Sequence, residues 1–221
     1  MIRVAAAASA ALALALLTGC DDCAGNRSAS SASGEPTDMA AIVPVHESLD
    51  HLRRWFGAHE GQPRFVTLLS PTCPGCRDGA RQVRDRLLAG TLRRKWAFAV
   101  VWVPMRPTDT EAALHAASQR FSDTPVRQFY DRNKVAARAF ARAIAPRLDA
   151  PAWDVFLFYA PDAEWGQGDP PKPKHGLGQY LGPKGEHLVG DGVDTNLRPT
   201  RVGTAAELGA LLWERAEHLD R

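Results

Sequence analysis

Phe65-Val66-Thr67-Leu68-Leu69-Ser70-Pro71-Thr72-Cys73-Pro74-Gly75-Cys76 is the stretch whose reading decides how this chain folds. Phe65, Val66, Leu68 and Leu69 form a short apolar run that Pro71 punctuates, which predicts a buried strand over Arg64–Ser70. Pro74 suits the first position of a helix, because its missing N–H would be unpaired there anyway. Val83, Leu87 and Leu88 then recur on one side at helical spacing, with Arg81, Arg84 and Asp85 on the other, until Gly90 closes the segment. The two cysteines therefore stand where a strand hands over to a helix.

That position has chemical consequences. A helix N-terminus concentrates unpaired N–H groups and the positive end of the helix dipole, which stabilise a thiolate. Cys73 is the expected nucleophile. Cys76, one helical turn along, is placed to attack a mixed disulfide at Cys73 and is the expected resolving thiol. Gly75 adds little bulk, and neither a charged residue nor a His separates the cysteines, so the direction of electron flow stays open. A structural Cys73–Cys76 disulfide closes too small a ring to stabilise the fold much. Metal capture by the two thiolates, with His175 or His187 as further ligands, is a separate alternative, since thiolates select soft ions.

Working outward, Leu49, Leu52, Trp55 and Phe56 predict an amphipathic helix over Val45–Ala58. Trp96–Val103 is a continuous apolar run, as expected of a strand buried on both faces in a partly parallel sheet. Thr108 and Glu111 suggest a capping box opening a helix through Ala117. Val126–Tyr130 reads as a short strand, Asn133–Ala145 as a helix, and Trp153–Tyr159 as a third clear strand. A Pro/Gly-rich loop over Pro161–Gly176 leads to an edge strand at Leu177–Leu181, then an irregular stretch over Gly182–Pro199. Thr204 and Glu207 form a second capping box, ahead of a closing helix marked by Leu208, Leu211, Leu212 and Leu219.

The run from Phe65 to Cys76, with a later apolar strand just after a proline, resembles the thioredoxin-like superfamily, over roughly Arg64–Tyr159. The resemblance implies an α/β fold with a central mixed sheet flanked by helices, and the length of Val103–Ala145 implies an inserted helical segment. It implies thiol-disulfide oxidoreductase activity without a cofactor or bound metal, and protein thiols or disulfides as partners. It also implies a substrate groove shaped by Pro74, Gly75 and a cis proline, for which Pro151 is the candidate. Two departures stand out. Thioredoxin itself has a buried Asp where this chain has Thr67, and the Trp before its motif is replaced by Pro71-Thr72. Pro71-Thr72-Cys73 also lacks the spacing of a peroxiredoxin. The copper-chaperone branch, with a pair one residue longer and a distal His, supplies the alternative of a soft-metal-binding chaperone.

The N-terminus reads as an export signal. Arg3 precedes an Ala/Leu run over Val4–Leu17 that is shorter than the roughly 20 apolar residues a membrane span needs. Leu17-Thr18-Gly19-Cys20 resembles a bacterial lipobox, which makes Cys20 the expected lipidation site. Acyl chains contribute about 0.8 kcal/mol per buried CH2. Asp21 resembles the inner-membrane retention signal of enterobacterial lipoproteins. The expected organisation is a signal peptide over residues 1–19, a flexible tether over 20–44 and a thioredoxin-like domain over 45–221. Such a protein would work on the periplasmic side of the inner membrane, with a membrane electron carrier as a recycling partner. Four cysteines form two pairs of equal spacing, but a four-thiolate zinc site would need the pair Cys20 and Cys23, which lies in the lipobox and tether. A formal charge of +2 with interspersed signs leaves no nucleic-acid footprint.

Overall fold

Alternation along the strand at Arg64–Leu69 sets up the whole molecule. All six residues are buried, and successive side chains point to opposite faces, so Phe65 and Leu69 enter one core layer while Val66 and Leu68 enter another. In the computed structural model, which describes residues 41–146, 150–181, 187–191, 199–201 and 204–221, this strand is β2 of eight. The described elements run β1 (Ile42–Pro44), α1 (Asp50–Ala58), β2 (Arg64–Leu69), α2 (Pro74–Gln82), β3 (Ala97–Trp102), α3 (Glu111–Ser118), β4 (Val126–Tyr130), α4 (Val135–Ile144), β5 (Val155–Tyr159), β6 (His175–Leu181), β7 (His187–Asp191), β8 (Pro199–Arg201) and α5 (Ala205–Asp220).

The strands form one sheet in the order β1-β4-β3-β2-β5-β6-β7-β8. β1, β4, β3 and β2 pair in parallel, and the rest pair antiparallel, so the sheet is mixed. Helices cover both faces. Ala80, Leu114, Leu208 and Leu212, from α2, α3 and α5, pack on the face that holds the cysteines. Leu52, Phe56, Phe140 and Ile144, from α1 and α4, cover the other. Each large apolar side chain so buried contributes about 1.5–3 kcal/mol. This is a thioredoxin-like architecture with an inserted helical segment, which also supplies β4, wedged between β3 and β1.

Several boundaries differ from the sequence reading, each for a local reason. The helix expected from Val45 starts at Asp50, because Val45 instead donates its N–H to Tyr130 O at 2.8 Å and extends the β1 pairing. The sheet thus takes in three residues of the segment read as tether. Thr110, not Thr108, caps α3, accepting from Ala113 N. The expected edge strand is not an edge, because β6 lies between β5 and β7. Residues 187–191, read as irregular, form β7 despite containing a glycine. Thr204 caps α5 as expected, accepting from Glu207 N at 3.3 Å, and the Glu207 carboxylate accepts from the Thr204 hydroxyl.

α2 passes into a π-helical turn at Val83–Leu88, where Ala89 N donates to Arg84 O at 3.1 Å. Gly90 ends it, and any Cβ there would lie 2.2 Å from the Trp213 ring of α5. Its glycine is required by that close approach. No helix among the described residues is long and apolar enough to cross a membrane. Cys20, Cys23 and the whole N-terminal segment lie outside the described residues.

Candidate active site

β2 delivers the chain to Ser70, and the turn at Pro71-Thr72 brings Cys73 to the N-cap of α2, in extended conformation at φ −68° and ψ 125° with Pro74 behind it in the first turn. Both thiols are free and buried. The Cys73 thiol is lowered to about 6. The Cys76 thiol donating to it is the largest cause; the N–H groups of Cys76 and Gly75 and the Arg106 charge assist, outweighing an opposing effect of burial. Cys76 is pushed well above the ordinary thiol range, first by burial and then by its hydrogen bond to Cys73 and the charges of Asp154 and Cys73. Ser70 N–H, 3.3 Å from the Cys76 sulfur, only partly offsets this. One helical turn therefore holds an acidic, reactive thiol beside a protonated one.

Thr67 stands where the resemblance leads one to expect a buried acid, and the structure sets a carboxyl beside the sulfurs from the bend just before β5. Thr67 does face the cysteine side, but its hydroxyl donates to Val155 O at 2.8 Å. The neighbouring residue, Asp154, enters the site instead. Its N–H donates to Leu68 O at 2.7 Å, and a left-handed backbone at φ +56° turns the side chain inward, a conformation that Asp tolerates better than most residues. The Cys73 and Cys76 sulfurs and an Asp154 carboxylate oxygen all lie within 4.8 Å of one another. Oδ1 of Asp154 is buried without a hydrogen-bond partner. Burial first, and then the Cys73 charge, raise this carboxyl to about 8. The available signal was an acid interrupting the apolar run Trp153–Tyr159.

A second residue missed in the sequence is Asp109. Its carboxylate accepts from Ser70 Oγ at 2.7 Å, from Thr72 N at 2.8 Å, and from Thr72 Oγ1 at 2.7 Å. It also accepts from Met105 N and Arg106 N, both at 2.9 Å. The active-site turn is thereby tied to the loop after β3, the loop that carries Arg106. Burial alone would raise this carboxyl, but the donated bonds hold it below the usual range. Thr108, expected to cap a helix, shares a 2.6 Å hydrogen bond with the Thr72 hydroxyl.

Of the other expected site residues, Pro74 is exposed at the mouth of the site and Gly75 is buried beneath it. Pro151 corrects the expectation of a cis proline: the Ala150–Pro151 peptide is trans, as are the other described peptides. The sharp change of direction before β5 is made at Asp154 instead, by its positive φ. What this turn brings to the sulfurs is the Asp154 carboxylate, with Trp153 packed against the same core. His175 is not part of the donor cluster; its ring packs edge-on against His218, 5.0 Å between centroids. His187 is a strand residue whose side chain lies outside the description.

No protein-family model matches the chain, and no curated protein does. Among solved structures, a secreted Mycobacterium tuberculosis disulfide oxidoreductase homologous to E. coli DsbE is 16% identical, covering 71% of this chain and 84% of that one at a TM-score of 0.35. A putative electron transfer protein from Aquifex aeolicus VF5 is 13% identical, with 74% and 84% covered and a TM-score of 0.37. MTB dsbF is also 13% identical, with 73% and 84% covered and a TM-score of 0.32.

Proposed function

We propose that this protein is a thiol-disulfide oxidoreductase, tethered on the periplasmic side of the inner membrane through lipidated Cys20, that reduces or exchanges disulfides of extracytoplasmic proteins. The observation that carries the reading is geometric: Cys73 caps α2 with Cys76 one turn along, and both sulfurs lie within 4.8 Å of each other and of a buried Asp154 carboxylate oxygen. At neutral pH Cys73 is largely thiolate and attacks a substrate disulfide, forming a mixed disulfide and expelling one substrate thiolate, which takes a proton from solvent. Cys76 then attacks the Cys73 sulfur, and the second substrate sulfur leaves as a thiol. Two electrons pass from the dithiol to the substrate; solvent supplies the proton of the first substrate thiol, and Cys76 gives up the one that the second thiol carries away.

Asp154 serves the second step. While Cys73 is a thiolate, its charge helps keep Asp154 protonated. Once Cys73 is in the mixed disulfide that charge is gone, the carboxyl becomes more acidic, and it is ready to accept the Cys76 proton when that thiol must ionise. The groove for the substrate chain is assigned to Pro74, Gly75 and Pro151, and recycling to a membrane electron carrier.

The test is reduction of a protein disulfide such as insulin by the protein and its Cys73→Ser and Cys76→Ala variants. Cys73→Ser should be inactive, and Cys76→Ala should accumulate a mixed disulfide that is recovered by mass. Full activity in Cys73→Ser would sink the reading. The donor set of two sulfurs and one carboxylate supports a second reading, a soft-metal chaperone. Tight copper(I) binding lost in both variants, without disulfide exchange by the unmodified protein, would favour it.

A further inference from the structure

The helix that begins at the cysteine pair carries Arg77 and Arg81, four residues apart and so along one side of it, and Arg84 follows in the π-helical turn. Arg77 and Arg81 are exposed. Arg120, from the 3-10 turn after α3, joins them: its guanidinium donates to Arg77 O at 3.5 Å, and the Arg84 guanidinium donates to Arg120 O. Crowding is evident at Arg120, whose pKa is lowered first by burial and then by the Arg77 and Arg81 charges, with Arg84 adding to them. Arg106 adds a further exposed cation on the loop that Asp109 ties to the active-site turn.

Three acids stand against this group. Asp78 pairs with Arg81 at 2.7 Å. Asp123 takes Arg84 in a two-pronged contact at 2.7 and 2.6 Å. Asp85 acts on Arg84 through its charge. Among the described residues, Arg77, Arg106 and Arg120 have no ion-pair partner. Like charges four apart on a helix are mildly destabilising, so the fold gains nothing from placing Arg77 and Arg81 together. Their proximity to the sulfurs gives the arrangement its meaning: the basic face starts at the residue that follows Cys76. A membrane surface docked here would press the sulfurs against lipid and away from a protein substrate.

We infer that the polypeptide exchanging disulfides with Cys73 carries an acidic segment beside its own cysteine, seated along Arg77, Arg81 and Arg120. This names the substrate class for the oxidoreductase reading and rests on it.

The experiment measures exchange rates of the reduced full-length protein with three disulfide-linked peptides that are identical except for Glu, Ser or Lys residues flanking the cysteine. A small neutral disulfide, bis(2-hydroxyethyl) disulfide, runs beside them. The acidic peptide should react about 10-fold faster than the neutral one at low salt and the basic peptide slowest, the spread shrinking as salt screens it. In Arg77→Ser/Arg81→Ser, and separately in Arg120→Gln, the ratio of acidic to neutral rate should fall to within about 2-fold. Equal rates for all three peptides, or a preference unchanged in both variants, overturn the inference while leaving the oxidoreductase reading intact. Failure to react with the small disulfide as well overturns both. Vesicles containing anionic phospholipid, mixed with the Cys20→Ala form so that the proposed anchor takes no part, are the last arm. Vesicle binding abolished by the double substitution, without any peptide preference, would assign the face to the membrane and overturn the inference too.

Discussion

In the proposed reaction Asp154 takes the proton of Cys76, and its charge state makes that role testable. In the unfolded chain an Asp ionises near 3.9, whereas here it holds its proton up to about 8. The folded state thus binds a proton that the unfolded state has lost. The stability this represents is fully present below pH 4 and drains away as pH rises toward 8. An Asn is neutral throughout, so Asp154→Asn should gain on the unmodified protein by about 1 kcal/mol for each pH unit between 4 and 8. Urea denaturation at pH 5 and pH 7.5 measures this, and parallel shifts at the two values would exclude a buried acid. The same variant should form the mixed disulfide at an ordinary rate yet resolve it about 100-fold more slowly, as expected from loss of a general base. Stopped-flow thiol release separates the two steps.

At the scale of elements, the active-site turn is held by the loop after β3 through Asp109. Removing one acceptor leaves five donors without their partner, so Asp109→Ala should destabilise the protein by about 2–4 kcal/mol. Because the folded carboxyl is held below its ordinary range, its contribution is present above pH 4 and fades as pH falls further. Loss of stability alone would fit any structural residue. Release of the Arg106 loop should also raise the Cys73 titration midpoint from about 6, read from thiolate absorbance near 240 nm. A midpoint that does not move would mean that Asp109 braces the loop without tuning the thiol.

Across the whole molecule, the cysteine-side core is closed by α5, and the far end of that helix is anchored by Asp220. Its carboxylate accepts from Arg93 N at 2.5 Å, Arg94 N at 2.9 Å and Trp96 Nε1 at 2.9 Å, tying α5 to the chain that enters β3. Asp220→Ala should cost about 2–3 kcal/mol, seen as a lower urea midpoint, and should leave the Cys73 midpoint where it was. Attachment to the membrane belongs to the same scale. If Cys20 carries the anchor, Cys20→Ala should move the protein from the membrane fraction to the soluble one; a variant that stays with membranes would remove lipidation from the account.

How much of this could be read in advance follows from what is local. The β2–α2 junction, the placing of Cys73 and Cys76, and the Thr204 cap depend on neighbours within one or two turns, so apolar spacing, Pro71 and Pro74 sufficed. The same holds for Val126–Tyr130, predicted and found with the same bounds. The order of strands does not have this character. That antiparallel β5 borders β2 on the side away from β3, and that β6 is interior, follows from pairings between residues far apart in sequence. The carboxyl beside the sulfurs is the clearest case. Thr67 stands where the resemblance to thioredoxin implies a buried acid. Antiparallel pairing of β2 with β5 sets Asp154 beside the same sulfurs, through a backbone turn at positive φ that no spacing announces. The sequence by itself determined which two sulfurs stand together at the start of one helix; the tertiary structure decided which carboxyl lies beside them, because a buried charge acts through space over a few ångströms and not along the chain.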